Sequence, residues 1–81
     1  MSAPVDREQL RRDLSDALKV VQQTHEVTGV DVLAATLQTL EEPPYAFHGR
    51  LLLKALEPVP VNYNALIWSL VQVIAKLEQE T

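Results

Sequence analysis

The chain has 81 residues, a mass of 9.1 kDa, a formal charge of -4, a sequence pI near 4.9, 47% apolar residues and no cysteine. That length supports one domain, residues 1–81, with a core close to the smallest that holds a fold without covalent staples. The missing thiols exclude disulfides, thiolate metal sites and a cysteine nucleophile, and the acidic balance argues against a nucleic-acid backbone as ligand.

Met1-Ser2-Ala3-Pro4 passes directly to Asp6-Arg7-Glu8, without the basic head and apolar run of a secretory leader, so a cytoplasmic location is expected. Residues 1–5 are expected to fray. A first helix is predicted over 6–27, with Asp6 as N-cap, Gln9 reaching back to complete a capping box, and Val5 and Leu10 as a hydrophobic staple. Leu10, Leu14, Ala17, Leu18 and Val21 then fill an arc of about 100°, the stripe of an ordinary surface helix. Its other face interleaves Arg7, Arg11, Arg12 and Lys19 with Glu8, Asp13 and Asp16, which reads as a solvated face laced with charge pairs. Gly29 suits either the end of this helix or the first turn of the next.

The second helix is predicted over 30–41, burying Val30, Leu33, Ala34, Leu37 and Leu40 before Pro43-Pro44 stops it. From Val30 to Leu40 it carries no Lys or Arg, the wrong chemistry for a helix that reads a DNA groove. Gly49 weakens the segment that follows, so the third helix is expected to be short, over 50–57, with residues 43–50 open between helix and loop. Pro58-Val59-Pro60 then forms an extended link. Asn62 caps a last helix over 63–79, stapled by Val61 and Leu66.

The last helix is apolar over about 220° of its circumference, with Trp68 at the edge of that arc and Ser69 on the remaining polar strip. Residues 50–57 spread Leu51, Leu52, Leu53, Ala55 and Leu56 over about 200°. Such arcs arise when a helix is wrapped by its neighbours as the centre of a monomeric bundle, or when a second chain covers part of it. Three short helices leave little material for wrapping, so the second explanation is preferred, and Trp68 separates the two.

Chemistry is sparse. His25 and His48 have no second ligand one helical turn away and read as ordinary exposed or capping histidines. Glu41 and Glu42 are adjacent, point about 100° apart on a helix and do not converge on a cation. No hydroxyl, imidazole and acid form a catalytic motif, and no glycine-rich loop could cradle a phosphate. The expectation is an all-α bundle of four helices that works as a non-catalytic interaction or regulatory protein. Its partner is a second copy, as a homodimer, or another protein on which it docks as a subunit. The contact is expected at Tyr45, Phe47, Leu52, Leu53, Leu56, Ile67, Trp68 and Val71. No cofactor, metal, small-molecule ligand, nucleic acid or membrane is expected. The alternative is an acidic inhibitor, of the immunity or antitoxin kind, that neutralises a basic toxin or enzyme; a small helical enzyme is the minor one.

Overall fold

In the computed structural model, which describes residues 5–40, 42–57 and 60–80, four helices and no strand occur among the described residues. Helix α1 spans Arg7–Thr24, and the Asp6 carboxylate caps it by accepting from the backbone N–H groups of Glu8 and Gln9 at 3.1 Å. The capping box is not completed: Gln9 turns its amide down the helix to donate to Asp13 at 2.9 Å. Val5 packs against the core rather than fraying, while residues 1–4 lie outside the described residues. Helix α1 stops earlier than expected because His25 takes the left-handed conformation, φ 59°, that ends helices and is usually left to glycine. The His25 ring stacks on Tyr63 at 4.6 Å, and the Tyr63 hydroxyl donates to the His25 carbonyl at 3.3 Å. His25 is therefore a helix-capping residue, and it ties the end of the first helix to the start of the last.

Helix α2 spans Val30–Thr39, with Gly29 at its N-cap, φ 84°. Thr28 takes no part in capping and instead donates to Glu26. Val30, Ala34, Leu37 and Leu40 are buried and Leu33 is half-buried. Glu41, the expected last residue of this helix, lies outside the described residues.

Helix α3 spans Pro43–Leu56 and is not the short element expected over 50–57; α2 is the shortest of the four. Pro43 and Pro44 occupy its first two positions, where the helix needs no backbone N–H and a φ fixed near that of a helix helps to start it. The same pair that ends α2 thus begins α3. Gly49, expected to weaken this segment, is buried where α3 lies close against the backbone of α2. A Cβ there would lie 2.6 Å from the Ala34 carbonyl oxygen and 2.8 Å from Gln38 Cγ.

Helix α4 spans Tyr63–Gln79, and the Asn62 side chain caps it by accepting from the Ala65 N–H at 3.1 Å. The preceding link, of which residues 58 and 59 lie outside the described residues, is pinned where the Asn62 N–H donates to the Ala55 carbonyl at 3.0 Å. Leu66, Leu70, Val73 and Leu77 fill the middle of the core.

The helices run up, down, up and down. Helix α1 packs on α4, α4 on α3 and α3 on α2, whereas α1 and α2 meet only briefly. At one end an arginine clamp joins three elements. The Arg7 guanidinium donates twice to Glu42 (2.7 and 2.9 Å) and once to Glu80 (2.6 Å), and lies 5.4 Å from the centre of the buried Tyr45 ring. Arg11 bonds Glu8 at 2.8 Å and lies 4.0 Å from Glu78, while Arg12 reaches Glu8 at 3.4 Å. No described helix is long and apolar enough to cross a membrane.

Candidate protein-interaction face

The wide arc of α4 divides in two. One side, carrying Leu66, Ser69, Leu70, Val73, Ile74 and Leu77, is buried between α1 and α3. The other is open: Asn64, Trp68, Val71 and Ala75 are all exposed, spaced four, three and four residues apart. That alternation of three and four is the spacing of a helix seam that receives another helix. Trp68 is 55% exposed and Val71 43% exposed. From Pro58 to Ala75 the sequence contains no charged residue, so the stripe has the charge depletion typical of the centre of a protein interface.

Helix α3 extends the face. Phe47 is 49% exposed, and Leu51 and Lys54 follow it at four and seven residues, on the side next to Trp68. A shallow cleft of about 210 Å³ between the helices is lined by Leu51, Lys54, Ala55, Ala65 and Trp68. The half-buried His48 ring bridges the two exposed aromatics, 5.8 Å from Phe47 and 6.2 Å from Trp68. Its Nδ1 shares a hydrogen bond with the Ser69 hydroxyl at 3.2 Å, and burial holds its pKa below the ordinary value. Ser69, expected on the polar strip, is buried because this bond gives its hydroxyl a partner.

The expected contact residues therefore separate into three groups. Phe47, Trp68 and Val71 stand on the exposed face. Leu53, Leu56 and Ile67 are half-buried and pack against the core. Tyr45 and Leu52 are fully buried and are corrected to core residues, since their side of α3 faces the bundle interior. Leu51, Ala65 and Ala75 join the face unannounced, although each lies three, four or seven residues from Phe47 or Trp68 and a strict helical count finds them.

Comparison with protein-family models, curated proteins and solved structures finds no match to this chain. The face offers two aromatic rings, small apolar side chains and the amide of Gln72, with the Lys54 ammonium at its edge. Among the described residues no group of three or more His, Asp or Glu side chains is arranged to hold a metal ion.

Proposed function

We propose that this protein works by contact, as a small interaction or regulatory protein that pairs with a second copy of itself across the outer face of α4. The observation that carries the reading is the exposed, uncharged stripe Asn64, Trp68, Val71 and Ala75 on a chain of net charge -4. Two acidic copies repel over most of their surfaces, and this face lets them meet without juxtaposing like charges. A twofold axis near Val71 would bring the same patch of each copy together, as closed dimers require. At about 1.5 Å per residue the seam is long enough for several turns of knobs-into-holes packing.

The test is direct because Trp68 is the one tryptophan of the chain. In sedimentation equilibrium the mass is expected to reach twice 9.1 kDa at micromolar concentration, with a blue shift of tryptophan emission over the same range. Val71→Glu should return the monomer with its helix content intact. A wild-type chain that stays monomeric, with water-exposed tryptophan emission throughout, overturns the proposal.

A further inference from the structure

The brief meeting of α1 and α2 leaves an open groove of about 470 Å³ on the side of the bundle away from the Trp68 face. Its floor is apolar: Ala17 and Val20 from α1, Val32 and Leu33 from α2, with Val20 44% and Val32 64% exposed. Its rim is acidic, formed by Asp13, Asp16 and Glu26, and no Lys, Arg or His lines it. Asp13 accepts a hydrogen bond from Gln9 and Glu26 one from Thr28, but none of the three carboxylates forms an ion pair with a described cation. At the clamp end, by contrast, Arg7, Arg11 and Arg12 meet Glu8, Glu42, Glu78 and Glu80.

We infer that this groove docks a Lys- or Arg-rich amphipathic helix of a partner protein, its apolar side on Val20 and Val32 and its cations against Asp13, Asp16 and Glu26. Charge complementarity selects the occupant. An acidic or neutral helix would leave three uncompensated carboxylates along its edge, whereas a basic one neutralises them while it covers the valines. Asp13, Asp16, Ala17 and Val20 are spaced three, one and three residues apart, so they present carboxylate and apolar surface along two successive turns of α1. A second copy is a poorer occupant, because the three arginines of α1 are already bound to this chain's own carboxylates, and no other described helix carries more than two cations, Arg50 and Lys54 of α3, of which Lys54 lies beside Trp68. Such a groove is what an acidic protein that neutralises a basic toxin or enzyme requires, and it is separate from the α4 pairing.

The test uses the full chain carrying Val71→Glu, so that pairing through α4 does not enter. The probe is a synthetic helical peptide of alternating Leu and Lys clusters, with a Leu and Glu peptide of the same pattern as control, followed by calorimetry. The Lys peptide is expected to bind one to one and to weaken about tenfold or more between low and high salt, while the Glu peptide does not bind. Asp16→Lys and Val32→Ser should each weaken binding at least about tenfold, and Glu57→Lys, an equal charge change on α3 at a residue that does not line the groove, should change it by less than about twofold. Equal losses in Asp16→Lys and Glu57→Lys would show attraction to net charge alone and overturn the proposal. So would self-association abolished by Asp16→Lys, which would make the occupant a second copy.

Discussion

The inner and outer faces of α4 are built from similar residues and meet opposite fates. Leu66, Leu70, Val73 and Leu77 are closed in by α1 and α3, while Trp68, Val71 and Ala75, on the same helix, face outward. Hydrophobicity alone does not tell the two apart; what differs is whether another helix of the chain lies within reach. The inner face makes the fold, and the outer face is left over as surface whose burial needs something else.

Substitutions can break or sharpen that contrast. The largest effect is expected on the inner face: Leu70→Ala should cost about 2–5 kcal/mol in urea unfolding, through lost burial and a cavity that its neighbours fill only in part. Gly49→Ala comes next, at about 1–3 kcal/mol, because the new methyl group meets the Ala34 carbonyl and forces α2 away from α3. Tyr45→Phe should be close to neutral. The buried Tyr45 hydroxyl has the Glu80 carboxylate beside it but no hydrogen bond of good geometry among the described residues, so its removal is expected to change stability by less than about 1 kcal/mol. On the outer face, Trp68→Ala should cost the monomer only about 1 kcal/mol of folding free energy, since about half of the ring is already in water, while abolishing the proposed pairing. Equal losses of folding and pairing would mean that Trp68 belongs to the core after all.

Acid provides the gentlest probe. Burial lowers the His48 pKa, so the folded state binds its proton less readily than the unfolded chain; stability is full above the ordinary value of 6.5 and declines as pH falls below it. Glu42 beside Arg7, and Glu8 beside Arg11, are held below the ordinary carboxylate value of 4.5, so their contribution is present above that pH and is lost as they protonate. A two-stage decline in melting temperature from neutral to acid pH is the expected record. The His48 stage should disappear in His48→Gln, and the second stage should persist.

Much of this was legible in residue order. Caps and apolar spacing placed α1, α2 and α4, because Asp6, Asn62 and the leucine stripes act within one or two helical turns. The start of α3 was not legible: Pro43-Pro44 is a stop and a start at once, and Gly49 weakens an isolated helix yet permits a close helix pair. A helical wheel measures how wide an apolar arc is but not which side a neighbour covers. Tyr45 and Leu52 therefore looked as available as Phe47 and Trp68 until the packing of α3 on α2 and α4 was known. The α1/α2 groove depends on the separation of two helices, to which spacing along either one is blind.

The brief contact between α1 and α2 has a dynamic consequence as well. With that contact weak, the four helices close a ring, α1, α4, α3, α2, that has one loose seam, so α3 and α4 have two close helix neighbours each and α1 and α2 have one. A ring with one loose seam opens there first. Backbone amides of α3 and α4 should exchange with solvent deuterium only when the whole fold opens, while those of α1 and α2 escape through smaller openings. The α1 amides near the Arg7 clamp should hold longer than those near Thr24, where the stack of His25 on Tyr63 is the last tie.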